Sequence, residues 1–490
     1  MRMLATGLFL LFGLASCGTP SERAGLSQEP AEIDITAEWI EKTSDPKAQP
    51  TTEYRSGHVT PRTLDSKAVT PTDSGYTISF PGNYPIPTPA FYKGRLYVSG
   101  GFGSKQYYCF NAKGGKFVWG IDLDDDGPTS AAIEDDIVVI NTESCTIFAL
   151  NAKTGKMLWS KWLGDPLMTT PTICDGRVYT SYPANAQKGK VLSTHIMGCF
   201  DLKTGKILWQ KWIDSDVISA PVATKGEIYA ATFAGTVFRF KQGTGKIVSV
   251  LKARATSAPT VIGDEMAFSR RTDKEGETRE ALGGWNMNKK TFGLIAGEKN
   301  ALYLDKKVQS GAAFSAESNE LDAGNGFGGG APQAAAPDKA ADNLGYSSVS
   351  SLQAFQGSRI LRYARANYAC MGDEIICTDP RTGKSLWKKK LKGDLENVGG
   401  FLGAPPVTAG NSIFLATLSG EIMELEPKKG KVLHRWKVGH PLRFQPIVVG
   451  GRVYVGTQNG KMVCIDTGNS KNTGWPMWGA NAQRTGMAVK

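Results

Sequence analysis

Three aspartates at alternate positions are the first residues of this sequence that could do chemistry. Asp122, Asp124 and Asp126 are followed by Gly127, and alternate carboxylates before a glycine can converge on a hard cation such as calcium. The loop is incomplete, because its twelfth position is Ile133 rather than a bidentate glutamate. The pattern leaves two interpretations, a calcium site and an acidic turn between strands, and we favour the turn.

Cysteine and histidine supply little for catalysis or metal binding. Seven cysteines follow Cys17, none beside another, and most share one repeated strand position that suits a small buried residue. Cys370 and Cys377 could approach across a hairpin, so the sequence leaves two alternatives for them, a disulfide or two free thiols. Four histidines are too few for a metal cluster, and no Ser-His-Asp ordering or phosphate-binding loop is present. We expect no catalytic, cofactor-binding or metal-binding residue.

Cys17 lies in a context that predicts covalent modification. Arg2 and the apolar core at 4–14 form an export signal that is too short to span a bilayer. The signal ends in Leu-Ala-Ser-Cys, which resembles the lipobox of bacterial lipoproteins. That resemblance implies cleavage before Cys17, acylation of this residue and, because Gly18 follows instead of aspartate, an outer-membrane location facing the periplasm. An ordinary signal peptide is the alternative.

The rest of the chain is built from one repeated stretch. Residues 149–159 read ALNAKTGKMLW, and copies recur at 109–119, 199–209 and 377–387, with weaker ones at 239–249, 284–294, 424–434 and 464–468. Apolar and polar residues alternate into each copy as in a half-buried strand, an Asp or Asn starts a turn in most copies, and glycine permits a positive φ. Each copy therefore predicts a hairpin.

A tryptophan at one fixed place in the repeat is expected to pack against the neighbouring unit. Burying one indole removes ~150–250 Å² of surface from water, so this contact is a strong staple between units. The predicted docking residues are Trp119, Trp159, Trp209 and Trp387, with the turn glycines Gly115, Gly155, Gly205, Gly245, Gly383 and Gly430.

The spacing of the repeats predicts the architecture. Units of ~40–50 residues with about four short strands each indicate an all-β, eight-bladed β-propeller with four-stranded antiparallel blades, over residues 75–490. One interval is longer by about fifty residues, and its Gly- and Ala-rich stretch 311–343 is predicted to be a disordered loop insertion. Residues 1–16 are the predicted signal peptide, and the polar segment 17–74 is predicted to be a flexible tether.

The repeat A-x-D-x-x-T-G-x-x-x-W resembles the tryptophan-docking motif of PQQ-like, quinoprotein-type eight-bladed propellers. Residues 475–478 and 483–486 resemble a segment that flanks these domains, so the similarity spans nearly all of the mature chain. In the dehydrogenases of this family an adjacent Cys-Cys disulfide and a tryptophan hold the quinone beside a calcium ion, and this sequence has no adjacent cysteines. The lipobox, the blade number and the repeats are also similar to the propeller lipoproteins of the outer-membrane β-barrel assembly machinery.

The charge pattern of the chain does not indicate nucleic-acid binding. The formal charge is +11, but it is spread over many turns, and no cluster of basic and aromatic residues is present. We expect a monomeric propeller that binds envelope proteins as a non-catalytic scaffold and is held to the membrane by its lipid anchor. Two alternatives remain: a degenerate quinoprotein oxidoreductase, and a glycan-binding or glycan-processing propeller that uses exposed aromatics such as Tyr107, Tyr108 and Trp162.

Overall fold

The computed structural model describes residues 31–32, 57–143, 145–163, 169–183, 195–224, 226–274, 277–296, 334–335, 348–349, 360–394 and 401–489. The predicted signal peptide, Cys17 and nearly all of the insertion at 311–343 lie outside these ranges. In the described part of the chain, no helix has the length and apolar character needed to cross a membrane.

Four strands precede the first complete sheet: β1 (Ala31–Glu32), β2 (Val59–Arg62), β3 (Val69–Thr72) and β4 (Gly75–Ser79). Two short 3₁₀ turns, Ser66–Ala68 and Pro81–Asn83, accompany them.

The first four blades are antiparallel sheets whose strands follow one another in chain order. Blade 1 contains β5 (Ala90–Tyr92), β6 (Arg95–Ser99), β7 (Gln106–Asn111) and β8 (Phe117–Leu123). Blade 2 contains β9 (Ala132–Glu134), β10 (Ile137–Asn141), β11 (Thr146–Asn151) and β12 (Met157–Trp162). Blade 3 contains β13 (Thr172–Cys174), β14 (Arg177–Pro183), β15 (His195–Asp201) and β16 (Ile207–Ile213). Blade 4 contains β17 (Val222–Thr224), β18 (Glu227–Ala231), β19 (Thr236–Lys241) and β20 (Ile247–Lys252).

The last four blades complete the ring. Blade 5 contains β21 (Thr260–Ile262), β22 (Glu265–Lys274), β23 (Glu277–Asn286) and β24 (Thr291–Ala296), and a separate strand pair follows, β25 (Ala334–Ala335) and β26 (Ser348–Val349). Blade 6 contains β27 (Leu361–Tyr363), β28 (Ala366–Met371), β29 (Glu374–Thr378) and β30 (Ser385–Lys390). Blade 7 contains β31 (Val407–Ala409), β32 (Ser412–Ala416), β33 (Glu421–Leu425) and β34 (Val432–Lys437). Blade 8 contains β35 (Ile447–Val449), β36 (Arg452–Gly456) and β37 (Lys461–Asp466), with β4 as its fourth strand.

The ring is closed by strands from opposite ends of the sequence. β4 pairs with β37, and Tyr76 lies opposite Cys464 in that ladder. The first strands of adjacent blades contact one another, including β35 with β5, so these strands surround the axis. The predicted eight-bladed, all-β propeller is therefore confirmed.

Residues 17–74 are predicted to be a flexible tether, but three strands within this segment pair with blades of the propeller. β2 extends blade 1, β3 extends blade 8, and β1 extends blade 4, each as a fifth antiparallel strand at the outer edge of the sheet. Pro61 and Pro71 lie within β2 and β3. Proline is tolerated there because an edge strand leaves part of its backbone unpaired.

The hairpins between third and fourth strands form as the repeat predicts. The Asn151 carboxamide accepts the backbone N–H groups of Lys153 and Thr154 at 3.0 and 3.1 Å, and Asp201 and Asp379 do the same in their own turns. These side chains satisfy turn amides that have no strand partner, which fixes the register of the outer strand.

Blade 5 departs from the predicted register. The sequence copy at 284–294 places Leu294 at the tryptophan position, but the ladder pairs Gly284 with Gly293. In blade 1 the equivalent pair is Cys109 with Trp119. The register shift of blade 1 lies between Cys109 and Phe110, whereas that of blade 5 lies farther from the turn, between Leu282 and Gly283. Counting residues from the start of the copy therefore gave the wrong partner.

Candidate functional site

The outer strands of blades 6 and 7 present the same exposed pattern of side chains. Leu386, Lys388 and Lys390 alternate along β30, while Leu433, Arg435 and Lys437 alternate along β34. Lys388 and Lys390 are alternate residues on one face of β30, as Arg435 and Lys437 are on β34. Leu386 and Leu433 are the extra residues of the β-bulge that precedes these cations. The two leucines are 55% and 42% exposed, and the residues at the same bulge in blades 1, 2 and 3 are 38%, 44% and 43% exposed: Val118, Leu158 and Leu208. The four cations are therefore what distinguishes blades 6 and 7. We call these four cations and the two leucines, Leu386 and Leu433, the cationic edge.

Three of the four cations of this edge pair with carboxylates of their own blade. Lys388 lies 3.5 Å from Glu374, Lys390 lies 3.2 Å from Asp373, and Arg435 lies 2.7 Å from Glu421. The cationic side chains are 57%, 78% and 41% exposed, respectively. Their carboxylate partners are only 15%, 19% and 12% exposed, so the cations are the members of these pairs that a partner can reach.

The backbone of β30 and β34 ends each sheet. In the described part of the chain, no further strand pairs with either one, nor with β12, β16 or β24, whereas β8, β20 and β4 are covered by β2, β1 and β3. An open edge presents unpaired N–H and C=O groups that can accept another strand. Lysines on such an edge discourage pairing between copies of this basic protein and favour a partner that carries acidic residues.

Four indoles join adjacent blades through hydrogen bonds. The indole N–H donates to a backbone carbonyl in the next blade in four cases: Trp119 to Ala152 at 3.1 Å, Trp159 to Leu202 at 2.8 Å, Trp209 to Gln242 at 3.0 Å and Trp387 to Pro427 at 2.8 Å. Each acceptor is the second residue of a docking turn, which we define as the hairpin turn between third and fourth strands. Each ring lies against the turn glycine of that same hairpin: Gly155, Gly205, Gly245 and Gly430.

The other two predicted turn glycines differ in their neighbours. Gly115 faces the phenol ring of Tyr76 rather than an indole, because β4 completes blade 8 and places tyrosine at the tryptophan position. The Tyr76 hydroxyl donates to the Ala112 carbonyl at 2.7 Å. Gly383 has φ 66°, and its N–H donates to Asp379 at 2.9 Å in the same type of turn.

The seven cysteines after Cys17 are free thiols, and all are buried. Cys370 pairs with Ile375 and Cys377 with Tyr368 across β28 and β29, so the two cysteines are not opposite each other. Burial raises the pKa of Cys109 and Cys199 to about 12 and that of Cys377 to about 11. The thiols therefore stay protonated and are poor nucleophiles near neutral pH.

The three alternating aspartates hold protein groups. Asp122 accepts the Arg62 guanidinium at 2.9 Å, Asp124 accepts the backbone N–H of His58 at 2.8 Å, and Asp126 lies 3.7 Å from the Lys105 ammonium. No group of three or more His, Cys, Asp or Glu in the described ranges is arranged to hold a metal ion. Two of the carboxylates instead tie down the segment that carries β2.

The aromatic residues suggested for glycan binding are placed differently from expectation. Tyr107 and Tyr108 are fully buried, so they offer no surface to a sugar, and only Trp162 keeps partial exposure. The prediction of Tyr107 and Tyr108 as exposed was wrong, because β7 is a third strand that is covered on both faces.

The C-terminal segment lies on the axis of the ring. Four N–H groups of the inner strands donate to its carbonyls: Phe91 to Pro476 at 2.6 Å, Ile173 to Ala482 at 2.9 Å, Ala223 to Gln483 at 2.9 Å and Val448 to Trp475 at 2.9 Å. Arg484 is fully buried, donates to the carbonyls of Pro171 and Trp478, and lies 5.2 Å from the Trp478 ring centroid. This segment ties blades 1, 3, 4 and 8 together from within.

A quinone and calcium do not fit the residues on this axis. The inner strands of four blades already bind the chain's own residues 475–483, and Trp475 and Trp478 are almost fully buried there. Trp475 donates its indole N–H to the Gln445 side chain at 3.1 Å, so this ring is held by the protein. No adjacent cysteine pair exists to sandwich a quinone.

Sequence patterns gave little warning of two of these features. β2 and β3 are polar, proline-containing strands with no buried residue, so they lack the apolar alternation that marks a strand. The cationic edge includes the run Lys388-Lys389-Lys390, which sequence alone does not distinguish from a solvated face. Its counterpart in blade 7 could have been found by aligning the residues after each tryptophan position.

The chain matches one protein family over more than half of its length. A sequence profile described as outer membrane protein assembly factor BamB matches residues 83–160, 108–193, 193–272 and 371–485. No curated protein matches the chain.

Solved structures of several functions share the fold. The crystal structure of BamB from Moraxella catarrhalis is 16% identical, with 81% of this chain and 99% of that chain covered at a TM-score of 0.50. The quinohemoprotein alcohol dehydrogenase ADHIIG from Pseudomonas putida HK5 is 12% identical, with coverages of 81% and 76% and a TM-score of 0.50. Sqt1 from Saccharomyces cerevisiae is 11% identical, with coverages of 81% and 100% and a TM-score of 0.54. At these identities the likeness is one of fold.

Proposed function

This chain belongs to the family of outer membrane protein assembly factor BamB, and from that premise we propose that it is a non-catalytic scaffold that holds protein partners in the cell envelope. The family and the fold support a scaffold or assembly role in general. The finer proposal is that partners add an acidic extended segment to the cationic edge of blades 6 and 7.

The observation that carries this proposal is the use of outer edges within the chain itself. β1, β2 and β3 each extend a blade by antiparallel pairing, and Val59 lies opposite Leu123 in one of these ladders. The Arg62 guanidinium and Asp122 carboxylate join the added strand to the blade at 2.9 Å. Backbone pairing plus one charge pair is the mode we propose for a partner at β30 and β34.

The charges favour an acidic partner. The cationic edge carries Lys388, Lys390, Arg435 and Lys437 on one face of two neighbouring outer strands, and the chain has a formal charge of +11. A basic patch raises the association rate of acidic partners and disfavours basic ones.

We also propose that Cys17 is lipidated and holds the propeller at the outer membrane, facing the periplasm. The support is the sequence Leu14-Ala15-Ser16-Cys17-Gly18 after an apolar signal. Several acyl chains on one residue anchor firmly, since each buried CH₂ contributes ~0.8 kcal/mol. Cys17→Ser should abolish incorporation of labelled fatty acid and release the protein from membranes, and unchanged labelling would contradict the assignment.

The test of the scaffold proposal is recovery of partners from detergent-solubilised envelopes with a charge-reversed edge. A Lys388→Glu, Arg435→Glu double variant should lose its co-purifying envelope protein by about tenfold, because two desolvated charge contacts become repulsive. Lys203→Glu with Lys246→Glu makes the same change of charge on exposed turns of blades 3 and 4 and should retain the partner. Equal recovery by both variants would refute the role of the edge, and absence of any protein with the wild type would refute the scaffold.

A further inference from the structure

Each blade presents three side chains to the docking turn of the next blade. They lie side by side on the second, third and fourth strands of the sheet. In blades 1, 3 and 6 the three residues are tyrosine, cysteine and tryptophan: Tyr97, Cys109 and Trp119; Tyr179, Cys199 and Trp209; Tyr368, Cys377 and Trp387. We call the space that these side chains fill the indole slot.

Blades without tryptophan still place large side chains in the slot. Blade 4 uses Tyr229 and Arg239, blade 7 uses Phe414 and His434, and blade 8 uses Tyr454 and Tyr76. Arg239 lies 2.7 Å from Glu227 and 6.0 Å from the Tyr229 ring centroid.

Blade 5 is different at all three positions. Its ladder aligns Ala267 with Gly284 and Gly284 with Gly293, as Tyr97 is aligned with Cys109 in blade 1. Alanine and two glycines thus replace tyrosine, cysteine and tryptophan. A Cβ built on Gly293 meets no atom within 4 Å, so the space beside it is open.

A cavity of about 300 Å³ lies at this place. Ala267, Gly284 and Gly293 line it from blade 5, and Pro380 and Arg381 of the blade 6 docking turn close the other side. A volume of this size is at the lower end of cavities that hold small ligands, so one aromatic ring is the matching occupant.

The far wall of the cavity offers the acceptor that an indole requires. Pro380 is the second residue of its docking turn, the position whose carbonyl accepts an indole N–H in four other slots, as Pro427 accepts from Trp387 at 2.8 Å. Neither Ala267 nor Gly293 has a side-chain group that could donate a hydrogen bond to the Pro380 carbonyl. A ring with an N–H group would reproduce the contact made elsewhere in this molecule.

The rim of the cavity is cationic. Lys289, Arg362 and Arg381 line it with one carboxylate, Glu265, which lies 3.2 Å from the Arg362 guanidinium. Three cations against one carboxylate leave the rim with a net positive charge, which favours an acidic ligand group.

We propose that the vacant slot between blades 5 and 6 is a receptor for one tryptophan side chain in an acidic segment of a partner protein. The assignment deepens the proposed scaffold function and rests on it for the identity of the ligand as a protein. The indole fills the space left by Gly293 and donates to the Pro380 carbonyl, while acidic neighbours of the tryptophan meet Arg362, Arg381 and Lys289.

The test is titration of the purified full chain with the peptide acetyl-Glu-Trp-Glu-amide, followed by calorimetry. Binding should be saturable, and replacing the peptide tryptophan with alanine should weaken it by about tenfold or more. Gly293→Trp supplies the missing indole from within and should abolish binding while raising the Tm. Gly243→Trp adds an indole at an exposed turn with nothing within 4 Å and should leave binding unchanged. Should Gly293→Trp fail to fold, Ala267→Tyr fills the same slot.

Three outcomes would overturn the proposal. The first is no saturable binding by the wild type, and the second is binding that survives both Gly293→Trp and Ala267→Tyr. The third is binding that appears only after Trp39 in the predicted tether is replaced (Trp39→Ala), which would assign the slot to the chain's own indole. Recovery of envelope partners is measured separately. If the protein recovers its partners but does not bind the peptide, the slot proposal is refuted and the scaffold proposal is not.

Discussion

The indole of Trp119 lies so close to Gly155 of the next blade that a Cβ at this glycine would come within 2.7 Å of the ring. Gly155 also has φ 72°, which disfavours any side chain. Glycine is therefore needed at position 155 for two reasons. Its own hairpin turn requires a positive φ, and the neighbouring blade leaves no room for a Cβ.

We expect Gly155→Ala to destabilise the protein by about 2–4 kcal/mol, from the cost of a positive φ together with overpacking against the indole. Gly176→Ala separates the two effects, because Gly176 has φ 69° and no atom within 4 Å of its Cβ position. Urea denaturation should give a smaller loss for Gly176→Ala, of about 1–2 kcal/mol. Equal losses would show that the indole contact adds nothing.

The buried thiols predict resistance to labelling. Burial holds the pKa of Cys109, Cys199 and Cys464 at about 12, and all seven cysteines after Cys17 are buried. A thiol reagent at pH 8 should therefore label none of the seven in the folded protein and all of them in denaturant. Rapid labelling of the native protein would mean that a blade opens readily.

The axial segment predicts a large effect from one arginine. Arg484→Met removes hydrogen bonds to Pro171 and Trp478 and leaves their carbonyls buried, so we expect a loss of about 2–4 kcal/mol in denaturation. Lys203→Met, on an exposed turn, should stay within about 0.5 kcal/mol of the wild type. A small loss for Arg484→Met would place the segment outside the cooperative unit.

Asp216 predicts a dependence of stability on pH. Burial raises the pKa of its carboxyl, although nearby His195 and hydrogen bonds from Ser181, Val217 and Thr169 lower it in part. The pKa of the Asp216 carboxyl is higher in the folded than in the unfolded protein. Its contribution to folding stability is therefore fully present below about pH 4 and is lost as pH rises through the folded pKa. Asp216→Asn should therefore match the wild type near pH 4 and be the more stable protein at pH 8.

A control of opposite sign tests the same linkage. Hydrogen bonds from Thr204 lower the pKa of Asp201, so its contribution is present at neutral pH and is lost as pH falls through the folded value. Asp201→Ala should cost stability at pH 7 and less in acid. Parallel pH profiles for both variants and the wild type would contradict these assignments.

The ring could be predicted from the sequence because one mechanical unit recurs eight times with its own turn chemistry. Asn151, Gly155 and Trp159 illustrate this, since turn, hairpin and staple follow from residue type. Long-range placement could not be predicted. Val59–Arg62 has no apolar alternation, and the axial position of Arg484 depends on the whole ring. The vacant slot was hidden because the β-bulge of blade 5 lies farther from the turn than in blade 1, which moves Gly293 into the position that counting gave to Leu294.

The most direct test of the scaffold is amide hydrogen exchange on the complex recovered from envelopes. A partner strand on the outer edge should protect the amides of β30 and β34, which carry Leu386 and Leu433, relative to the free protein. β8 is already covered by β2 and should show no change. Protection confined to other blades, with β30 and β34 exchanging as in the free protein, would contradict the account.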